Sequence, residues 1–224
     1  MTHQDQRPPF PPAPKEEKVT FRSADTVPTR LEGRLFRGDK KTGAVICHPH
    51  PLHGGTMYNK VVDAALRGLS ESGMSTLRFN FRGVMNSEGS HGDGIDEVQD
   101  LEGAIHFLKT EMEIERLFLA GFSFGTGVIS RFMDEFGEAD GILLIAPPVD
   151  KYGFLSFESP TLWGTSMILG ELDEFCSVES FHNYKTQLGN VNKSAVVEGA
   201  DHFFHGHLPK IIQLIRDILD DAEL

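Results

Sequence analysis

Residues 117–125, which read LFLAGFSFG, decide the fold. The first four form a continuous apolar run, which is typical of a strand buried on both faces. The run leads directly into Gly121-Phe122-Ser123-Phe124-Gly125, and apolar residues at helical spacing follow. A G-x-S-x-G sequence between a strand and a helix places its serine on a strained turn that needs small residues two positions before and after it. We therefore predict that Ser123 is a nucleophile, and that the Phe124 amide, at the start of the next helix, stabilises an oxyanion.

Similar patterns on both sides of this stretch predict an α/β fold. Two alternating segments, 19–23 and 31–36, indicate an opening antiparallel hairpin. Helical periodicity separates the later apolar runs and is clearest over 95–108, behind acidic residues at 93 and 96, and over 211–219. Alternation of strands and helices favours a mainly parallel central sheet with helices on both faces. The further buried strands are predicted at 44–47, 76–79, 142–145, 166–169 and 195–197.

A nucleophilic serine needs an adjacent base, and ten histidines are available. In α/β-hydrolases the base lies after a late strand and before the last helix. His202 occupies this position in the loop GADHFF, so we predict that it is the general base. His205 and His207 lie a turn later, and of these His205 is the second choice.

The acid that orients the base is expected between the serine and the histidine in the chain. The sequence GELDE follows the predicted strand 166–169 and contains Asp173, which we predict to be this acid. Its neighbours Glu171 and Glu174 are alternatives, and Asp150 is a more distant one. Asp201 directly precedes His202 in the chain and is poorly placed to bond its ring.

The loop after the strand 44–47 is rich in histidine and proline. In this fold it supplies the second oxyanion donor from its backbone. Prolines have no N–H group, so we predict the amide of His50 as donor, with Leu52 as the next choice. The three histidines of the loop also raise the alternative of a metal hydrolase, but no carboxylate is interleaved with them, and we predict neither metal nor cofactor.

Composition and charge exclude several other classes. The formal net charge of −12 opposes binding to nucleic acid or to an anionic membrane. The two cysteines form no disulfide framework, and no export signal is visible, so we expect reduced thiols and a cytoplasmic protein. Residues 1–17 are rich in proline and charge and are predicted to be a disordered tail. Residues 18–224 are predicted to form a single domain.

Six segments together resemble a known family. The sequence is similar to bacterial α/β-hydrolases related to dienelactone hydrolases and small esterases. By this resemblance, too, the nucleophile, acid and base are Ser123, Asp173 and His202. Dienelactone hydrolases use a cysteine nucleophile, so the serine here does not imply dienelactone cleavage. The resemblance also includes Arg82 and Asn59, which we interpret as loop-bracing residues. The segments are CHPHPLHGGTMYNKVV (47–62), LRFNFRGV (77–84), LAGFSFG (119–125), IAPPV (145–149), GELDE (170–174) and GADHFFHG (199–206).

These features predict a serine hydrolase that cleaves small to medium acyl esters or thioesters through an acyl-enzyme. The segment 150–160, where larger relatives insert a lid, is short, so we expect an open cleft with a minimal lid. The competing hypothesis is a non-catalytic ligand-binding protein on the same fold. The substrate pocket is predicted to be shaped by Leu52, Phe154, Phe157 and Phe203, next to Phe124.

Overall fold

The computed structural model describes residues 7–152, 154–160 and 162–222, and places one eight-stranded sheet at the centre of the molecule. The strands are β1 (Glu17–Arg22), β2 (Arg30–Phe36), β3 (Thr42–Cys47), β4 (Ser75–Phe79), β5 (Arg116–Phe122), β6 (Gly141–Ile145), β7 (Thr165–Gly170) and β8 (Val191–Val197). The helices are α1 (Lys60–Glu71), α2 (Glu97–Met112), α3 (Phe124–Glu135), α4 (Val178–Leu188) and α5 (Leu208–Asp221).

The sheet is antiparallel at one edge and parallel elsewhere. Its strand order is β1-β2-β4-β3-β5-β6-β7-β8, and β1 and β2 form the predicted hairpin. β2 also pairs antiparallel with β4, whereas all pairs among β3 to β8 are parallel. The predicted α/β fold is therefore confirmed. Because the parallel strands point the same way, the loops after β3, β5, β7 and β8 meet at one edge of the sheet.

Alternating side chains divide the core into two layers. Ala44 and Ile46 of β3 face one side, where they pack with α1 and α5. Val45 and Cys47 face the other side, where α2, α3 and α4 cover the sheet. Both faces of β3 are thus buried, which explains why its sequence is a continuous apolar run rather than an alternating one.

The start of α2 differs from the prediction. The periodic pattern suggested a helix from residue 95, but Ile95 is 64% exposed and the helix begins at Glu97. Asp93 has a φ of 55° and lies between two glycines, so the chain turns sharply there and cannot be helical. The Glu97 carboxylate accepts hydrogen bonds from the amides of Gly92 and Gly94 at 2.9 and 2.8 Å. It therefore fixes the turn that ends at the helix.

The proline-rich N-terminal segment is described over residues 7–16. It contains neither helix nor strand, but it lies against α1 and α5. Arg216 of α5, which is almost fully buried, donates from Nη2 to the carbonyl of Pro8 at 2.8 Å. β1 then begins at Glu17, one residue inside the predicted tail. The first six residues of that prediction lie outside the described part of the chain.

The connection between β6 and β7 contains no helix or strand in its described residues. The position at which larger relatives insert a lid is thus occupied by a short irregular segment. Two of its positions, 153 and 161, lie outside the described residues.

None of the described helices is long and apolar enough to cross a membrane. Cys47 and Cys176 are both buried and free.

The packing of α2 against the end of β1 gives a testable prediction. A Cβ at Gly103 would lie 2.3 Å from the carbonyl oxygen of Arg22, although alanine is favoured in a helix by about 1 kcal/mol. We expect Gly103→Ala to lower the free energy of unfolding by about 1–3 kcal/mol, measured by urea denaturation. Gly127→Ala in α3 is the matched control, because its Cβ would meet Phe154 at an ordinary 3.6 Å. If both variants had the same free energy of unfolding, α2 would not pack as closely on Arg22 as the structure shows.

Candidate functional site

The turn between β5 and α3 holds Ser123 in a strained backbone conformation. Its φ of 52° and ψ of −120° are rare for a residue with a side chain. Two backbone hydrogen bonds hold the turn: the Ser123 amide donates to the Ile145 carbonyl at 2.9 Å, and the Thr126 amide donates to the Ser123 carbonyl at 2.8 Å. The neighbouring strand and the first turn of α3 thus fix the serine. Such strain is characteristic of functional sites.

The two glycines of the motif are required by close backbone contacts. A Cβ at Gly121 would lie 2.8 Å from the carbonyl of Gly125, because the chain folds back on itself. A Cβ at Gly125 would lie 2.6 Å from the carbonyl oxygen of Cys47 at the end of β3. Both distances are too short for any side chain, so the helix can begin against β3 only with glycine at these positions.

The loop after β8 brings His202 to the serine. Its Nε2 atom lies 2.9 Å from the Ser123 hydroxyl oxygen. The imidazole is buried, and three phenylalanine rings surround it, with ring centres 5.3, 4.6 and 5.2 Å from its own centre. These rings, from Phe122, Phe175 and Phe203, restrict the imidazole and shield it from water.

The loop after β7 brings Asp173 to the other side of the imidazole. Asp173 Oδ2 lies 2.7 Å from His202 Nδ1, and Oδ1 accepts a hydrogen bond from the Phe175 amide at 2.8 Å. Because a carboxylate accepts the Nδ1 proton, Nε2 of the neutral ring is left as an acceptor toward Ser123. The structure therefore brings the three predicted residues into one hydrogen-bonded chain.

The alternative acids serve other purposes. Glu171 accepts a hydrogen bond from the Gly199 amide at 2.8 Å, which ties the two loops together. Asp150 accepts one from the Ser177 amide at 2.7 Å, at the start of α4. Asp201 points to His205, with 2.7 Å between Oδ2 and Nδ1. None of these contacts reaches the imidazole of His202.

The remaining histidines do not converge on a metal site. His205 pairs with its exposed neighbour Asp201, and His207 donates from Nδ1 to the carbonyl of His205 at 2.8 Å. Among the described residues, no group of three or more histidine, cysteine, aspartate or glutamate side chains is arranged to hold a metal ion. The described residues therefore provide no ligand set for the metal-hydrolase alternative.

The two predicted oxyanion donors flank the serine. Phe124 is the first residue of α3, so its amide has no carbonyl acceptor within the helix. His50 lies in the loop after β3 and lines the same cavity as Ser123. The Leu52 amide, the second choice, donates to His50 Nδ1 at 3.2 Å. This bond engages Leu52 and leaves His50 as the better candidate in its loop.

His48 fixes the loop that carries His50. It is fully buried, donates from Nδ1 to the Pro49 carbonyl at 2.6 Å, and accepts at Nε2 from the Phe81 amide at 3.1 Å. The ring therefore joins the loop after β3 to the segment after β4. Burial lowers the pKa of His48 to about 4, so this histidine is neutral at neutral pH.

Arg82 and Asn59 brace neighbouring loops, as interpreted from the sequence. Arg82 Nε and Nη2 donate to Asp100 Oδ1 at 3.0 and 2.8 Å, and Nη2 also donates to Asp25 at 2.7 Å. Asn59 caps α1 by accepting from the Val61 amide at 2.8 Å. Asn59 also lines the cavity at Ser123, so its position is closer to the site than bracing alone requires.

An open cavity of about 230 Å³ lies over Ser123 and His202. Phe203 lines it, as predicted, whereas Phe154 lines a neighbouring cavity. The predictions for Leu52 and Phe157 are wrong. Leu52 is 70% exposed and lines neither cavity. Phe157 is buried in the core beneath them.

Comparison with known proteins shows which family the chain belongs to. Residues 44–166, just over half of the chain, match the model of the S33 serine aminopeptidase family. An α/β serine hydrolase homologue from Coxiella burnetii is 33% identical, with a TM-score of 0.78 over 90% of this chain and 97% of that one. The chain belongs to this α/β serine hydrolase family. The matched segment includes Ser123 but ends before Asp173 and His202.

Two further relatives extend the likeness over most of the hydrolase. An uncharacterised protein of Rickettsia prowazekii is 32% identical over 201 residues, which are 85% of this chain and 84% of the relative. An α/β serine hydrolase without lid from Xanthomonas campestris is 27% identical, with a TM-score of 0.82 over 94% of this chain and 97% of that one. The short connection after β6 agrees with this architecture, which confirms the predicted minimal lid.

Sequence reasoning missed several residues that line the cavity of this hydrolase. Lys151 and Tyr152, which follow β6, form part of its wall, as does Phe175, which follows Asp173 by two residues. The signal for Lys151 and Tyr152 was their position after a buried strand at the edge where sites form. The signal for Phe175 was its proximity to the predicted acid.

The buried His48 predicts a pH dependence of stability. Its pKa is about 4 in the folded protein and about 6.5 when unfolded, so the unfolded chain binds a proton that the folded protein does not between these values. Stability is therefore lost as the pH falls through this window. From pH 7 to pH 5 we expect the free energy of unfolding to fall by about 2 kcal/mol more in the wild type than in His48→Gln, measured by urea denaturation. Glutamine can still accept a hydrogen bond from the Phe81 amide. An equal fall in the free energy of unfolding in both proteins would contradict a neutral His48.

Proposed function

We propose that the protein hydrolyses carboxylic esters or thioesters through an acyl-enzyme on Ser123. The observation that carries this proposal is the hydrogen-bonded chain from Ser123 through His202 to Asp173, at the floor of an open cavity. Membership of a serine hydrolase family supports hydrolysis in general.

In the first step the Ser123 hydroxyl oxygen attacks the ester carbonyl, and His202 Nε2 takes the hydroxyl proton. The 2.9 Å distance between these atoms suits a direct proton transfer. The imidazolium that forms carries a positive charge in a buried place. The Asp173 carboxylate, 2.7 Å from Nδ1, stabilises that charge and holds the ring in the required tautomer.

The negative charge that develops on the carbonyl oxygen needs donors in fixed positions. The amide of Phe124 is the first of α3, where the helix dipole also favours an anion. The amide of His50 supplies the second hydrogen bond in this proposal. Because both donors belong to the backbone, they need no reorganisation during the reaction.

Collapse of the tetrahedral intermediate completes the cycle. His202 returns its proton to the alcohol or thiol that leaves, and the acyl group stays on Ser123 as an ester. A water molecule then attacks this ester while His202 accepts its proton. The second intermediate collapses to a carboxylic acid and free Ser123.

The cavity favours small or medium acyl groups. Its volume of about 230 Å³ lies below the range of about 300–1,000 Å³ that is typical of sites for drug-sized ligands. Phe175 and Phe203 give its wall an apolar part, and no lid covers it. An acyl chain longer than this cavity would gain no further apolar burial within it.

A serine-directed reagent tests the nucleophile. We expect one fluorophosphonate adduct on the wild-type protein and none on Ser123→Ala, measured as intact mass. Ser180→Ala is the matched control and should keep the adduct, because Ser180 lies in α4 and bonds Ser177. A folded wild type that stays unlabelled would overturn the proposed function.

A second measurement tests the acid. Asp173→Asn is expected to lower kcat for an activated ester by about 10³–10⁴-fold, because asparagine cannot both hold the required tautomer and stabilise the imidazolium. The control is Asp150→Asn, which alters a carboxylate that bonds the Ser177 amide instead. It should stay within about twofold of the wild type. Similar losses in both variants would assign the role of Asp173 to folding rather than to orientation of His202.

A further inference from the structure

A second cavity of about 440 Å³ adjoins the one over Ser123. The two share a wall made by four residues: His50, Pro148, Lys151 and Tyr152. Phe124, whose amide is the proposed oxyanion donor, lines the second cavity. A substrate whose reacting carbonyl lies at Ser123 can therefore extend into this second space.

The second cavity is lined by two cations without carboxylate partners. Arg131 is the one arginine in the described part of the chain for which neither a hydrogen bond nor an ion pair is found. Lys151 lines both cavities and lies 5.9 Å from the ring centre of Phe175, with no carboxylate within 4 Å among the described residues. These two side chains can therefore pair with an anionic group of a ligand, although the net charge of the chain is −12.

The other charged groups at this cavity are already engaged or point away. Asp93 lines it, but its side chain is 92% exposed and lies 3.4 Å from His91 Nε2. Glu97 is buried and accepts hydrogen bonds from two backbone amides, and one of its oxygens lies 2.8 Å from His91 Nδ1. Burial lowers the pKa of His50, so its ring adds no cation at neutral pH. The available positive charge therefore comes from Arg131 and Lys151.

We propose that this second cavity binds a carboxylate of the substrate, so that the enzyme prefers esters that carry a free carboxylate. This inference rests on the ester hydrolysis proposed above. Arg131 lies eight residues after Ser123 on α3, about 12 Å along the helix axis, and helical side chains lean toward the N-terminus. The separation suits a short chain between the reacting carbonyl and the carboxylate. Asp93 at the rim opposes a doubly charged phosphate more than a carboxylate.

Matched substrates measure this preference. The p-nitrophenyl monoester of adipic acid and its methyl ester have the same reacting group and differ at the distal end by one charge and one methyl group. We expect the wild type to show a kcat/KM about tenfold higher for the anionic ester, as for one charge-assisted hydrogen bond. The ratio should fall toward one in 1 M NaCl, because salt screens the attraction.

Three variants assign the effect to this cavity. Arg131→Gln and Lys151→Gln should each lower the ratio of the two kcat/KM values several-fold. Asp93→Asn removes the opposing charge and should raise the ratio. Lys18→Gln in the edge strand β1 changes the net charge by the same amount and should leave both kcat/KM values unchanged. A ratio that did not respond to Arg131→Gln or Lys151→Gln would overturn the proposal.

A binding measurement separates this inference from the proposed reaction. Adipic acid monoanilide and its methyl ester are titrated into Ser123→Ala by calorimetry, which needs no turnover. Tighter binding of the acid, lost in the Arg131→Gln background, supports the carboxylate site even if no ester is cleaved. Turnover of the neutral ester with equal rates and equal binding for both members of each pair would leave ester hydrolysis intact and refute the carboxylate site.

Discussion

The contact between Gly125 and the end of β3 is the constraint on which the site depends. With the Cys47 carbonyl 2.6 Å from where a Cβ would lie, the first turn of α3 rests directly on the strand that leads into the His48–His50 loop. This approach sets the Phe124 amide beside the loop that carries the His50 amide. A side chain at position 125 would separate the two and would also disturb the strained turn at Ser123. One glycine therefore links Ser123 to both proposed oxyanion donors.

The parallel sheet explains why residues far apart in sequence meet here. Asp173 follows β7 and His202 follows β8, on the same edge of the sheet as Ser123. A bond between Glu171 and the Gly199 amide joins the two loops, so the imidazole is positioned by backbone contacts as well as by the carboxylate. The aromatic rings around it exclude water, which strengthens both hydrogen bonds of the ring. The contacts that hold the loops after β7 and β8 thus also set the surroundings of the His202 imidazole.

The strands and the hydrogen-bonded chain of Ser123, His202 and Asp173 could be predicted from the sequence, but only part of the cavity walls could. Runs such as 44–47 are apolar because both faces of the sheet are covered, and such a run can be recognised in the sequence. The direction of a side chain in an irregular loop cannot be recognised in this way. Leu52 and Phe157 were therefore wrongly assigned to the pocket. The sequence also does not show that arginines of α1 and α5 donate hydrogen bonds to the described part of the N-terminal segment. Such long-range polar contacts leave no local pattern.

The protonation of the histidine-rich loop decides how charge is distributed over the site. Burial lowers the pKa values of His48 and His50, so the loop beside the serine carries neutral rings at these positions. Neutral rings at these two positions would not oppose an imidazolium at His202, and they add no positive charge beside the proposed oxyanion donors. Of the two cations named above, Arg131 lies at the second cavity alone, and Lys151 lies in the wall that the two cavities share. In the proposed carboxylate site, an anionic group of a substrate would thus be held away from the reacting carbonyl, which stays free to meet Ser123.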